Sequence, residues 1–549
     1  MAEDSRVVGK NLLDALTVGM YADNRIIFRE YIQNSADAID KAVAEGVINS
    51  REEGRIDIAI DSDKRQILIR DNGIGISSKD IYHILGDIGN SQKSHIENRG
   101  FRGIGRLGGL AYCEELQFIT SYRGENCKTI MLWDCKELKK YLQPGKYQDM
   151  SLIDVINAIT VLEAQSEQTE EHYFEVILNG IQQGHDNLLD IDDIQDYLSQ
   201  VAPVSFDCQT LIALQKINQK LKEVGKEPEE FNIFLNREKI YKPYKVNFFA
   251  NKKKDFITDI NFFESYKRDG SLFFLGWYGI TDLLGMVEEE NVSGLRARKG
   301  NILIGTNRTF DIFFGSGTNQ RFNRWFIGEI YIFDNGLIPN TRRDDFEKND
   351  AYFDFKRELE KIIKEKLSRL PREYSDVRSN EKIVLNAPKE IEKIQKELSV
   401  SGITEPRREN LSEQVKKLKQ QVKRINPDVY SKQTLPVTGT KSDEISNFIS
   451  DNSSNETDKV INSAKIEKTK EVKDKLLNQL ELLENKVETI KKRPSDKIPS
   501  SYSRECRKMF DIICEEIDVA LPDEQAAQEL KQRIIKRLEA ETKPKRNKK

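Results

Sequence analysis

Nowhere does the sequence run through the roughly 18 consecutive apolar residues that a membrane-spanning helix needs, and charged residues make up 32% of it, so a membrane span is excluded. Paired cysteines are missing too. The six that occur (Cys113, Cys127, Cys135, Cys208, Cys506 and Cys514) are scattered without CxxC spacing, and no apolar signal region opens the chain. A disulfide framework and a zinc site are therefore not expected, and a reducing, cytoplasmic location is. Basic charge is not in excess. Lys and Arg total 87 against 91 Asp and Glu, so the chain as a whole lacks the electrostatic footprint of a dedicated nucleic-acid binder. Also absent is the GxxxxGK[ST] phosphate loop, so any nucleotide chemistry has to rest on other residues.

A chain of 549 residues is long enough for about three or four folding units, each with its own core. From Asp14 to about Val43 the apolar positions Ile26, Ile27, Tyr31, Ala38 and Ile39 recur with helical spacing. Arg55-Ile-Asp-Ile-Ala-Ile60 alternates, Gln66-Ile-Leu-Ile-Arg70 is β-rich, and the turn residues between them predict a hairpin. A polar stretch from Ser77 to Gly100, a glycine cluster and a β-rich run from Glu115 to Tyr122 follow. This order predicts an α+β sandwich, with helices over one face of a mainly antiparallel sheet, across residues 1–207. A second αβ block, residues 208–370, contains strand-like Phe231–Leu235, Ile302–Gly305 and Phe326–Phe333 and closes on a charged helical pattern.

Beyond it the chain turns helical and highly charged. Leu411, Val415, Leu418, Val422 and Ile425 have heptad spacing, as do Leu476, Leu480, Leu483, Val487 and Ile490. Runs this short favour an antiparallel helical pair over a long coiled coil. The reading is a helical segment at 371–426, a polar linker at 427–465 and a helical region at 466–549 that ends in the basic tail Lys543–Lys549.

Three clusters carry chemistry. Glu30, Asn34 and Asp37 stand at i, i+4 and i+7 and so share one helix face. Asp71-Asn-Gly73-Ile-Gly75 follows directly on a strand, where a turn is expected. Gly100-Phe-Arg-Gly103-Ile104-Gly105-Arg-Leu-Gly108-Gly109 is too glycine-dense for a helix interior and suits a loop that presents backbone N–H groups to an anion. Its GxGxxG lacks the βαβ frame of a dinucleotide fold. Each cluster alone has an ordinary explanation: a solvated helix face, a turn, a flexible loop.

Together, in this order, they resemble the nucleotide motifs of the GHKL ATPases (gyrase, HSP90, histidine kinase, MutL). The resemblance implies a Bergerat-type domain binding ATP and Mg²⁺. Glu30 would polarise the attacking water, Asn34 would ligate Mg²⁺, and Asp37 would stand on the same nucleotide-facing side. Asp71 would accept from the adenine amino group, Gly75, with Gly73 in the same nucleotide-binding turn, would let the backbone approach the base, and Gly100, Gly103, Ile104 and Gly105 would cradle the phosphates. Thr120 resembles the threonine that completes the adenine contact, residues 77–99 the ATP lid, and Lys93 within it a phosphate contact.

Among the branches, histidine kinases place a phosphoacceptor helix before the ATPase unit, whereas Glu30 comes early here and the chain has four histidines. HSP90 is the better match. Gly336-Leu-Ile-Pro-Asn340-Thr-Arg-Arg343 resembles its middle-domain loop, which makes Arg343, or the adjacent Arg342, the residue that reaches the γ-phosphate. The resemblance, over about residues 10–370, implies a homodimer acting on protein clients. The unmatched C-terminal third is nearer to MORC-type ATPases, which would make the basic tail a DNA contact.

Overall fold

The computed structural model describes residues 9–10, 12–13, 23–87, 105–143, 145–147, 150–207, 209, 212–399, 405–432, 455–489, 502–521 and 523–542. The chain divides into two compact units, Met1–Pro371 and Arg372–Lys549.

In the first unit, helix α1 spans Ile26–Ala44. Residues 14–22 of the expected helical stretch lie outside the described residues, and immediately before α1 the Asp23 carboxylate accepts from the Arg25 backbone and guanidinium in a turn. Strands β1 (Arg55–Asp61) and β2 (Gln66–Asp71) form the expected hairpin, with Ile58 opposite Ile69 and Ile60 opposite Ile67. The two-residue period turns Ile67, Ile69 and Asp71 to the same buried face. Asp71 is therefore a carboxylate at an apolar position, in the layer that α1 covers.

Helix α2 (Ile81–Gly86) follows, and Ile81 and Leu85 are buried in the first core, so this part of the expected lid is packed rather than polar. Strands β3 (Glu115–Ser121), β4 (Cys127–Asp134), β5 (Thr160–Ser166) and β6 (Tyr173–Asn179) extend the sheet. Helices α3 (Cys135–Tyr141) and α4 (Leu152–Ile159) connect β4 to β5. A reciprocal Ser151–Asp154 capping box starts α4, an arrangement worth about 1 kcal/mol. Helix α5 (Ile191–Val201) is capped by Asp190, and α6 (Gln215–Glu223) comes after it.

The first sheet has eight strands in the order β5-β4-β3-β6-β2-β1-β7-β8. Its last two members, β7 (Asn232–Leu235) and β8 (Glu238–Lys239), come from the segment expected in the second block. β7 runs parallel to β1, from Arg55–Asn232 to Ile58–Leu235, and buries Ile233 and Leu235 in the first core. The sheet thus takes back the chain after the presumed boundary, because these alternating apolar residues complete the layer that α1 covers.

The second lobe of this unit holds the hairpin β9 (Asn247–Ala250) and β10 (Lys253–Phe256) and a five-stranded sheet. That sheet has the order β11-β12-β15-β13-β14: Asp259–Tyr266, Leu272–Ile280, Ile327–Ile332, Gly294–Lys299 and Ile302–Ile304. Helix α7 (Asp350–Ile362) closes the lobe and passes into a π-helical turn at Ile363–Leu367. Where the lobes join, Glu329 accepts from Lys242, Arg298, Tyr244 and Tyr331 in a fully buried cluster. Its cationic neighbours overcome the cost of burial and hold its carboxyl down at about 2, while burial brings Lys242 down to about 8.

In the second unit, α8 (Arg369–Ser399, whose first three residues belong to the first unit), α9 (Glu405–Lys423) and α10 (Asn455–Thr489) share one core. Both heptad runs face it, apart from Ile490, which lies outside the described residues. Arg408 reaches the Glu488 carbonyl, and Lys473 reaches that of Ile425, so α9 and α10 run antiparallel. Helix α10 begins at Asn455, inside the segment read as a linker. A hairpin of α11 (Arg504–Ala520) and α12 (Glu524–Thr542) follows.

Candidate active site

The face of α1 that carries Glu30, Asn34 and Asp37 borders the loop after β2 and the 3₁₀ turn Gly105–Ala111. The loop is held by hydrogen bonds from its backbone and from the Asn72 side chain. Asn72 accepts from the Arg55 N–H at 2.6 Å and donates to the Glu53 carbonyl at 2.9 Å, and the Ile74 N–H donates to Ala38 of α1 at 3.2 Å. The Ile76 N–H donates to the Thr120 hydroxyl at 2.7 Å, and His172 Nδ1 lies 2.9 Å from the Gly73 carbonyl. Gly75 has φ +72°, and a Cβ there would lie 2.0 Å from the Ser121 carbonyl oxygen. At Gly73 a Cβ would meet Ala38 at 2.6 Å. Both glycines are therefore required by close approach of backbone to backbone.

Asp71 is 2% exposed. Its Oδ1 accepts from the Gly73 N–H at 2.9 Å, while Oδ2 is buried without a hydrogen-bond partner. Burial pushes the carboxyl up to about 6, against the opposing pull of the nearby Ser35 hydroxyl and the Gly73 N–H. A buried, unmatched acceptor at the floor of a loop fits a ligand N–H donor. Thr120 bears on this region indirectly, since its hydroxyl accepts from Ile76 and donates to Tyr173 O at 3.1 Å.

Glu30 stands at the other end of the face. A Cβ on Gly105 would lie 2.3 Å from Glu30 Oε2, so a side chain there would displace this carboxylate. Glu30 Oε1 lies 3.3 Å from Arg343 Nε, and both side chains are 11% exposed. Arg343 has φ +58°, a left-handed conformation that costs a non-glycine residue about 1–2 kcal/mol. The loop enforces it: the Arg343 N–H donates to Asn340 O at 3.1 Å, and its carbonyl accepts from Gly305 at 2.8 Å. Arg342 is exposed and offers only its carbonyl, which accepts from Arg29 Nη2 at 3.1 Å. Of the two candidate arginines, Arg343 is the one at Glu30.

Asn34 is half-buried and Asp37 is buried. Lys93, Gly100, Gly103 and Ile104 lie outside the described residues, as do most of the expected lid and the basic tail. Among the described residues no three His, Cys, Asp or Glu side chains cluster as a metal cage. A Mg²⁺ ion at Asn34 would take its other ligands from phosphate and water, which is this ion's habit. No helix of the described residues is long and apolar enough to cross a membrane.

Two residues that the sequence did not single out as site residues bear on the site. Tyr31, taken as an apolar helix position, donates to Arg106 O at 3.0 Å and accepts from the Gly109 N–H, which ties the glycine turn to α1. Arg29 holds the Arg342 carbonyl, and through it the loop that carries Arg343. Their adjacency to Glu30 was the one signal available.

This arrangement defines a GHKL-type ATPase domain. Residues 26–168 match the family model described as histidine kinase-, DNA gyrase B-, and HSP90-like ATPase. Similar curated proteins are chaperone proteins HtpG. That of Treponema pallidum is 29% identical over 24% of this chain and 23% of the relative. That of Wigglesworthia glossinidia brevipalpis is 30% identical over 29% and 27%. That of Buchnera aphidicola is 27% identical over 34% and 32%. The likeness to HSP90-type proteins thus covers a segment, and the chain spans no more than about a third of the length of these relatives.

Proposed function

We propose that the protein is an HSP90-like, ATP-hydrolysing conformational clamp acting on protein clients in the cytoplasm. The observation that carries this reading is the meeting of Glu30, on the first helix of the ATPase domain, with Arg343, from the second lobe. A site built from both lobes turns over only when they are correctly disposed, and this couples chemistry to shape.

In this reading Asp71 Oδ2 receives the adenine amino group, and guanine, with a carbonyl at that position, is rejected. The Glu30 carboxylate orients a water and takes its proton as oxygen attacks the γ-phosphorus. Arg343 exchanges part of its pairing with Glu30 for the charge that develops on the phosphoryl oxygens. Asn34 offers an amide oxygen to Mg²⁺, which when bound neutralises phosphate charge. Closure of the lid at residues 77–99 and association of two copies through the ATPase domains complete the cycle, with Lys93 and the Gly100–Gly105 backbone on the phosphates.

Steady-state turnover of ATP against GTP, run beside suppression of aggregation of a denatured model protein, tests the reading. ATP-selective turnover with nucleotide-dependent protection supports it. Absence of ATP binding by calorimetry overturns the enzymatic part, and turnover without protection overturns the chaperone part.

A further inference from the structure

Arg106 follows directly on Gly105, and its backbone and side chain are held by different helices. The Arg106 carbonyl accepts from the Tyr31 hydroxyl of α1 at 3.0 Å. Its guanidinium reaches the end of α2, where Nε donates to the Leu85 carbonyl at 3.3 Å and Nη2 donates to the Asp87 carbonyl. The last carbonyls of a helix have no partner within it, and a cation there also meets the negative end of the helix dipole. A planar guanidinium can serve two such carbonyls at once, in a fixed geometry that a flexible ammonium does not reproduce. The anchor is firm, because Ile81 and Leu85 of α2 are buried in the first core.

Burial brings the Arg106 guanidinium down to about 10, against the pull of Asp87. It therefore stays charged near neutrality, at a desolvation cost that an apolar side chain in its place would not carry. This bridge fixes the near end of the 3₁₀ turn. The far end is already held, since Leu107, Gly108, Gly109 and Leu110 are buried and the Gly109 N–H donates to Tyr31. Gly105 has no side chain of its own to pack, yet a Cβ on it would lie 2.3 Å from Glu30 Oε2. Its neighbour supplies the anchorage that it lacks.

We infer, on the nucleotide reading proposed above, that Arg106 is a positioning residue for the phosphate end of the site: by joining α1 to the end of α2 it sets the Gly105 backbone beside Glu30. It acts through Gly105 and leaves the adenine end, at Asp71, untouched.

Calorimetry of the full chain with adenosine and with ATP in the presence of Mg²⁺ provides the test, because adenosine engages the Asp71 end alone. Arg106→Leu should weaken ATP about tenfold or more and leave adenosine within about twofold. Arg106→Lys, which keeps the charge without the planar fork, should weaken ATP by a smaller factor and again spare adenosine. Melting curves without nucleotide show that the variants are folded, and the milder lysine variant carries the test if the leucine variant is not. Equal weakening of both ligands would make the role merely structural and overturn the inference, as would unchanged ATP affinity. A wild type that binds neither ligand would overturn the nucleotide reading itself, a result distinct from a wild type that binds both beside variants that do not discriminate.

Discussion

Arg343 Nε lies 3.3 Å from Glu30 Oε1 although 313 residues separate them in the chain. One side chain comes from the first helix of the ATPase domain and the other from a strained loop of the second lobe. Replacing Glu30 by Gln should leave ATP binding within a few-fold and reduce turnover about 10²–10⁴-fold. Arg343→Met should retain binding and lose about a thousandfold in kcat. Single-turnover kinetics beside calorimetry separate the two quantities, and loss of binding in either variant would contradict the roles.

Asp71 gives a pH dependence with two opposite signs. Its carboxyl sits at about 6 in the folded chain against 3.8 ordinarily. The folded state therefore holds more protons between these values, and Asp71's share of stability rises as pH falls from 6 toward 4, by about 3 kcal/mol in total. ATP binding needs the ionised acceptor and should weaken about tenfold between pH 7 and pH 5. Asp71→Asn should abolish ATP binding and flatten the stability trend, as calorimetry and urea titrations at each pH would register.

Gly75→Ala should cost about 2–3 kcal/mol, since it forces a side chain into left-handed backbone and onto the Ser121 carbonyl. A fall in melting temperature together with loss of ATP binding is expected. Gly124, also at positive φ but with open space around its Cβ position, is the control: its alanine variant should keep ATP affinity.

Lys242→Met should destabilise the first unit by about 3–5 kcal/mol, because it leaves Glu329 buried with one cation fewer. Urea unfolding followed by tryptophan fluorescence would measure it, and a change below about 1 kcal/mol would show that Arg298 alone balances the carboxylate.

Much of the site was legible in the sequence because its parts are local. The period of the first helix fixed the face of Glu30, Asn34 and Asp37, and the alternation of β2 put Asp71 at its end. From the sequence the glycines point to close approach to a nucleotide, and the Cβ distances show a different closeness, of Gly73 to Ala38, Gly75 to Ser121 and Gly105 to Glu30. What was not legible is long-range. Nothing in Lys242, Arg298 or Glu329 singles them out before the fold gathers them, and the exposed edge strand β5 gives no clean apolar alternation. The place of β7 was misread for the same reason: Phe231–Leu235 has the pattern of a strand, but its partner is chosen by tertiary packing.

That strand has a practical meaning for anyone who would cut the protein. Truncation at residue 207 would strip β1 of its neighbour and bare the backbone of Arg55–Ile58, an edge ready to pair with another molecule. Continuing to Lys239 keeps the edge closed, and with it the Asn236 contacts to Ile58 and Ile60. The second lobe is stitched into the hem of the first, so melting either one unpicks a seam of the other.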